Sequence, residues 1–568
     1  MNPSIQEKLT AKIVAFILGG VTVLVVPQSV TDPVNVTKLF LLGGLAFAAF
    51  GASISKKSIS KLRNDGAILL LIGLFLTAAL ISFLVSTAPK SQSFYGVYGR
   101  NNGFLLYLLL VMSFIATLTI KNRLLTIYLI RALFLAGSIN LAYGLWVVAF
   151  GDFIGWNNIY GNLLGTLGNP NFIGSFFGLF SGLLFSYFFA PKLSNKIRIS
   201  TVLLLALVFF GIMQTHAVQG KVLFVSALVI TLFLFIRSKF RNPVVEVSYI
   251  VIAGVGFLLA LLGTLQKGPL SEILYKQTVS LRGQYWYAGW QTGSSHPLFG
   301  VGFDAYGDWY RRSRRESALT LPGVDTVSNT AHNVYLDMFS FGGWPLFLAY
   351  VGISIYVIFA ILRHLKVTRH FDPVFSTLIT VWICYQLQSI ISINQIGLAI
   401  WGWIFGAAII SYVRAESAIP SSNSSSIKQP IKKHKPNVDT VISPQLIGGL
   451  SFIVGLLLSV PPLSADVKWR DAQISQNVEK VESTLKSSYM NPPNTFKYSQ
   501  VVGAFETNGF NELAHKYALE SVKFNSESFE LWRNLSVLKL TTPQEKIEAL
   551  KNMKRLDPLN PNLGVKSN

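Results

Sequence analysis

The sequence predicts an all-α fold: a polytopic bundle of membrane-spanning helices, interrupted by one long polar loop and followed by a small helical tail. Three observations carry that prediction. Of 568 residues, 51% are hydrophobic and only 13% charged, with a mean hydropathy of +0.47. Apolar runs of roughly 18 residues or more, enough to cross the hydrocarbon core, recur along the chain. Basic residues collect in every second loop between those runs, as expected of loops on the cytoplasmic side.

Candidate spans fall at 11–27, 35–55, 67–87, 103–120, 125–150, 171–191, 201–217, 222–236, 245–266, 334–362, 374–393 and 396–413, with an additional one at 445–463. This makes about twelve plus one. With a cytoplasmic N-terminus, the inside loops carry Lys56/Lys57/Lys61/Arg63, Lys121/Arg123, Lys192/Lys196/Arg198, Arg237/Lys239/Arg241, Arg363/Lys366/Arg369 and Arg414 with Lys428/Lys432/Lys433/Lys435. The outside loops 28–34, 151–170 and 394–395 carry no Lys or Arg. A wrong span count would break the phase. The N-terminal run resembles a signal peptide, but Pro27-Gln28-Ser29 after it offers no small-x-small cleavage pattern, so it reads as an uncleaved first helix.

The net charge of +22 would suggest nucleic acid in a soluble domain. Here the cations sit in short loops and set topology, so no nucleic-acid partner is expected and membrane lipids are. The single cysteine, Cys384, lies in an apolar run and excludes an intramolecular disulfide or a cysteine metal cluster. The chain divides into a membrane domain (1–413), a Ser/Pro/Lys-rich cytoplasmic linker (414–444), the extra span (445–463) and a polar tail (464–568). In the tail, Ala514, Ala518, Trp532, Leu535 and Ala549 recur at helical spacing. Two helix pairs closing near Phe524 and Leu556 suggest degenerate tetratricopeptide repeats, and a plain helical bundle fits as well. Either would serve protein or glycan contacts.

The phase of the spans puts the loop 267–333 outside the cytoplasm, together with the tail. Its four arginines, Arg311, Arg312, Arg314 and Arg315, run against the charge trend. They are either a solvated surface cluster or an anion site, since arginine forks bind phosphate oxygens in pairs. His296 lies in the same loop. Three other outward junctions combine aromatic, glycine and amide residues with a basic group or a cap: Tyr95 to Gly103 with Arg100, Gly165 to Asn171 with Asn169 and Asn171, and Gln214 to Lys221 with Gln219. Each alone is ordinary interfacial decoration. Their convergence on one face, with Arg282, predicts a shared polar cavity.

His332, beside Asn333, stands where the long loop enters a span. A lone histidine there is often an interfacial hydrogen-bonder. Its unperturbed pKa of about 6.5 also suits it to take a proton from a hydroxyl near neutral pH. The chain has no Walker loop, no zinc-type histidine pair, no Gly-x-Ser-x-Gly elbow and no Asp-x-Asp. No metal, ATP or other cofactor is expected.

At Gly96…Arg100…Gly103, Gly168-Asn169-Pro170-Asn171, Arg282…Trp286, Pro297 to Gly302 and His332-Asn333…Gly343, the chain resembles the O-antigen ligase / polysaccharide polymerase family of membrane glycosyltransferases, over roughly residues 10–413. A tetratricopeptide-like tail also occurs in that family. The resemblance implies transfer of a glycan from an undecaprenyl-diphosphate carrier to a hydroxyl on a glycan, lipid or protein acceptor, at the outer face of the cytoplasmic membrane. It makes His332 the essential histidine and Arg282 the arginine that grips the diphosphate. Arg100, Lys221 and the Arg311–Arg315 cluster would assist, and Asn333, Asn169, Asn171, His296 and Gln219 would orient groups in the cavity. The chain departs from the family where a Ser-Arg pair is common, reading Val218-Gln219-Gly220-Lys221, and where a second glycine often follows Gly343, reading Leu346. Ligase and polymerase both remain open at this point. A different class, a transporter or flippase of lipid-linked saccharides, would place ionisable residues mid-membrane and show internal repeats. The chain has no clear repeat, and its polar residues concentrate in the loop.

Overall fold

The computed structural model describes residues 4–54, 65–155, 158–159, 161–264, 266–274, 281–417 and 443–563. The basic cluster Lys56 to Arg63 and nearly all of the linker 414–444 lie outside the described residues. Several helices begin where the chain supplies a side-chain acceptor for the orphan N–H groups of a first turn. Ser4 and Glu7 form a reciprocal capping box. Asn169, Asp372 and Ser443 each cap a helix whose first residue is proline, a residue with no N–H to lose at that position.

The elements are α1 (Ile5–Val23), α2 (Asn35–Ser53), α3 (Gly66–Leu84), α4 (Lys90–Tyr95), α5 (Phe104–Leu118), α6 (Thr126–Phe150), α7 (Pro170–Phe188), α8 (Asn195–Gln214), α9 (Val218–Lys239) and α10 (Pro243–Thr264). The long loop folds into α11 (Arg282–Ser295) and α12 (Tyr306–Ser313). Then come α13 (Val334–Val367), α14 (Pro373–Ile391), α15 (Ile396–Ser417) and α16 (Pro444–Ser475). The tail adds α17 (Thr495–Thr507), α18 (Asn511–Phe524), α19 (Phe529–Val537) and α20 (Pro543–Leu556). Among the described residues, eleven helices are long and apolar enough to cross a membrane, and Phe104–Leu118 is apolar but shorter. The protein is an all-helical, multi-pass membrane protein.

Helix α15 is the buried axis, with Trp401, Ile404, Phe405 and Ile409 fully enclosed. Helix α10 is the opposite case: nothing in its apolar window is buried inside the protein. Among the described residues it touches mainly α9 and the short helical turn after it, so most of its surface is exposed. The expected extra span 445–463 is the first part of α16, which runs on unbroken to Ser475. It lies along α2 at backbone contact: a Cβ on Gly43 would sit 2.1 Å from Ser459 Oγ, and one on Gly455 2.2 Å from the Gly43 carbonyl oxygen. Such small-residue seams let membrane helices approach closely.

Two features fix the loop to the bundle. Helix α13 breaks at Gly342 and Gly343, and Val301 and Gly302 donate to the carbonyls of Ser340 and Phe341 at 2.9 and 3.0 Å. Gly300 (φ +62) and Gly343 (φ +62) press on backbone of the opposite segment, 2.3 Å from where a Cβ would be. The left-handed conformation and the missing Cβ are both needed there. The tail then closes over the loop, around a core of Trp469, Tyr498, Val501, Phe505, Trp532 and Leu535. Phe496 of α17 stacks on Tyr98 with centroids 4.7 Å apart and planes at 7°.

Candidate active site

The ends of α2, α7, α9, α10 and α14, with the loop that includes α11, enclose two adjoining cavities. One, of about 620 Å³, is walled largely by apolar side chains including Val222, Leu223, Phe257, Leu261, Leu387 and Ile390. The other, of about 800 Å³, has a more polar, mixed wall, in which Thr31, Asn35, Arg100, Asn169, Ser392 and Arg470 stand beside apolar side chains such as Val34 and Leu167. Among the described residues, only Asn171, Arg282 and His332 line both. These three stand where hydrocarbon-like wall gives way to polar wall.

Arg282 opens helix α11 and is only 8% exposed. Among the described residues no carboxylate pairs with it, and burial pushes its guanidinium down to about 10, with Tyr285 acting in the other direction. A buried cation without a counter-ion is costly. At a cavity wall, such a cation is a candidate contact for an anion.

His332 precedes the helix cap of α13 and sits at φ +52, a left-handed conformation that costs a non-glycine residue roughly 1–2 kcal/mol. Three contacts hold it there. The Asn333 side chain accepts from the Tyr335 and Leu336 N–H groups at 3.0 and 3.1 Å, closing the helix start. Asp337, one turn on, reaches back to accept from the Ala331 N–H at 2.8 Å. Thr330 Oγ1 accepts from the His332 N–H at 3.3 Å and from Arg100 Nη1 at 3.1 Å. The imidazole stacks on Tyr285. Burial first, then Arg100 and Arg282, push its pKa down to about 3, so the ring is neutral near pH 7 and able to accept a proton.

Arg100 is carried by a turn that Asp304 organises, its Oδ2 accepting from the Val97 N–H at 2.6 Å. Burial pushes Asp304 up to about 6, against the lowering effect of the Val97 N–H and Arg100. In the wall of the apolar cavity, both amide atoms of Gln219 and the Nε1 of Trp286 are buried without a protein hydrogen bond. Such orphans are uncommon in a finished interior.

The family model of the O-antigen ligase matches residues 173–351. Over that stretch the chain is similar to the O-antigen ligase family. A comparison with curated proteins found no match. The matched stretch supplies Arg282, His332 and Gln219. Arg100, Asn169, Asn171 and the Arg470 end of the polar cavity come from outside the matched stretch.

Folding of the matched stretch and its flanks brings together most of the site residues that the motifs suggest, and sends others elsewhere. Arg282, His332, Arg100, Asn169, Asn171 and Gln219 do line one cavity or the other. Asn169 and Asn333 also work as helix caps. Lys221 does not line either cavity, although Val218, Gln219, Val222 and Leu223 of the same helix do, because it points off that face. His296 is absent from both walls: it packs edge-on against Trp309 at 4.4 Å and bonds Ser295 at 3.0 Å. The arginine cluster turns toward the tail. Arg311 and Arg314 pair with Asp557 at 3.1 and 2.8 Å, and Arg312 pairs with Glu527 at 2.6 Å. Arg315 donates to Gln284 at 2.7 Å on an exposed edge. Three of the four forks already hold carboxylates, so they are not presented to a cavity ligand.

Three further residues of the site, Tyr285, Asp337 and Arg470, do not stand out in the sequence motifs. Asp337 had a signal: an acid one turn after an Asn cap can reach back to the preceding loop.

Proposed function

We propose that the protein transfers a glycan from a polyprenyl-diphosphate carrier, of the undecaprenyl type, to an acceptor hydroxyl at the outer face of the cytoplasmic membrane. The observation that carries this reading is the position of Arg282 and His332 at the seam between an apolar and a polar cavity. A lipid-linked glycan has that same division: isoprenoid chain on one side, sugars on the other, diphosphate between. The exposed surface of α10 gives the lipid a lateral path to the apolar side. The loop alternation of basic residues is the ground for the outer face.

In the proposed step, the acceptor oxygen attacks the anomeric carbon of the donor sugar as its proton passes to the neutral imidazole of His332. The bond from that carbon to the diphosphate oxygen breaks, and the carrier diphosphate leaves with the electron pair. Arg282, supported by Arg100, stabilises the charge that grows on it. The diphosphate also offsets the two arginines that depress His332, so the donor itself makes the imidazole a better base. No step in this scheme requires ATP or a metal.

A deletion strain complemented with wild type, His332→Ala or Arg282→Ala, with membrane protein levels checked by immunoblot, tests the reading. Glycan that stays on its carrier, or stays short, in both variants is the expected result. Unattached long chains would indicate ligase action, and single units polymerase action. Wild-type glycan from both variants would overturn the assignment in favour of transport.

A further inference from the structure

Three arginines of the loop serve no step of that reaction, and their partners lie at the far end of the chain. Asp557 follows α20 and has a fully buried side chain. Its Oδ2 accepts from Arg311 Nη1 at 3.1 Å and from Asn560 Nδ2 at 3.0 Å, and both its oxygens accept from Arg314 Nη2 at 2.8 Å. The same two arginines also bind loop backbone. Arg311 and Arg314 donate to the Val324 carbonyl at 2.9 and 2.7 Å, and Arg311 reaches the Asp325 carbonyl at 3.3 Å. One carboxylate of the tail, two arginine forks at the end of α12 and the backbone at 324–325 thus form a single knot.

We propose that the C-terminal domain is a strut for the catalytic loop and that Asp557 is a positioning residue for His332. Two routes run from the knot to the imidazole. Along the backbone, Val324 and Asp325 lead into Ser328, Thr330 and Ala331, whose bonds to one another, to Arg100 and to Asp337 set the His332 conformation. Across the side chains, Arg311 follows Tyr310 on α12. Tyr310 meets the Tyr285 ring at 5.8 Å, and Tyr306 donates to the Tyr285 carbonyl at 2.8 Å. Tyr285 in turn stacks on His332 at 5.4 Å.

The surroundings of the knot favour a fixed geometry over a loose docking. Arg311 stacks on Phe529 of α19 at 4.3 Å, and Arg312 covers Trp309 at 3.7 Å while binding Glu527. Arg555 braces Glu527 from the tail side at 3.0 Å. Burial holds Arg311 and Arg312 below the usual arginine range, with Asp557 and Glu527 opposing. Buried ion pairs add little net stability compared with an apolar contact of the same shape, but fork-on-carboxylate pairs impose direction. A strut needs direction more than it needs strength.

The proposal rests on His332 being the base, and the test separates the two. Full-length Asp557→Asn keeps the shape of the side chain while removing its charge, and Glu527→Gln loosens the more exposed clamp. Each is purified, checked for melting temperature and assayed with membranes of the deletion strain, which supply donor and acceptor. Affinity is measured separately with undecaprenyl diphosphate. Asp557→Asn should lower the rate at saturating donor on the order of 10–100-fold, since small misplacements of a catalytic group are that costly. Its undecaprenyl diphosphate affinity should stay within about twofold, because Arg282 and the cavity are untouched. Glu527→Gln should show the same split in smaller measure. Should Asp557→Asn fail to accumulate, Glu527→Gln decides alone. A wild-type saturated rate in whichever variants accumulate, or a loss confined to affinity, overturns the strut. His332→Ala is the control: if it transfers glycan normally, the base assignment falls and the strut with it. If it is inactive while the tail variants are normal, only the strut falls.

Discussion

The imidazole of His332 lies on the ring of Tyr285, with centroids 5.4 Å apart and planes at 29°. Tyr285 is one turn along α11 from Arg282, so a single helix start supplies both the cation at the cavity seam and the platform for the neutral histidine. The contact uses the phenol face and not its hydroxyl. Tyr285→Phe should therefore keep transfer near the wild-type rate. Tyr285→Ala removes the platform and should lower the saturated rate about tenfold or more. Initial rates with membranes of a deletion strain would show it.

The pH dependence follows from the depressed pKa of His332. In the free protein, burial, Arg100 and Arg282 hold it at about 3, so kcat/KM should show no inflection from this residue between about pH 5 and 8. With a diphosphate beside the arginines the pKa rises, and an acid limb should appear in kcat at higher pH than in kcat/KM. Stability carries the matching sign. Unfolded histidine titrates near 6.5, so between about 3 and 6.5 the unfolded chain binds more protons. This contribution is present in full above that window and is lost as pH falls through it. Melting temperatures of wild type and His332→Ala across pH 4–8 should converge toward the acid end.

Asp337 acts on His332 through backbone. Replacing it with Ala leaves the Ala331 N–H buried and unpaired, a cost of about 1–3 kcal/mol, and frees His332 to leave its left-handed conformation. Asp337→Asn retains an oxygen acceptor. Transfer should fall with Ala and recover substantially with Asn at equal protein level, a pattern that rate measurements on both variants can check.

The unpartnered amide of Gln219 needs a ligand to satisfy it. Gln219→Leu fits the apolar wall, so it should leave folding intact or improve it while weakening donor binding by about 1.5–3 kcal/mol, the worth of a buried hydrogen bond to a charged group. Thermal melting and titration with undecaprenyl diphosphate read the two effects separately.

Much of the bundle was legible because hydropathy and charge phase are local properties. The spans begin and end close to where apolar runs meet caps such as Asn169 and Asp372. Arg282 and His332, which the motifs single out, do share the walls of both cavities. The arginine cluster was misleading because its meaning is decided by Asp557, 243 positions from Arg314 in the chain, and no local pattern announces such a partner. Lys221 shows a subtler limit: helix placement was right, but the face it presents depends on a packing angle that spacing alone does not give. Arg470 escaped notice because α16 continues past its membrane stretch and delivers that residue to the polar cavity.

In the proposed reaction Arg282 is the buried cation that receives the carrier diphosphate. The most direct measurement is the affinity of the purified full-length protein for undecaprenyl diphosphate, wild type against Arg282→Ala, with Arg315→Ala as the exposed-arginine control. Loss of a charge-assisted contact worth about 1.5–3 kcal/mol predicts binding weaker by roughly 10–150-fold in Arg282→Ala, and unchanged binding in Arg315→Ala. Equal affinity in wild type and Arg282→Ala would contradict the account.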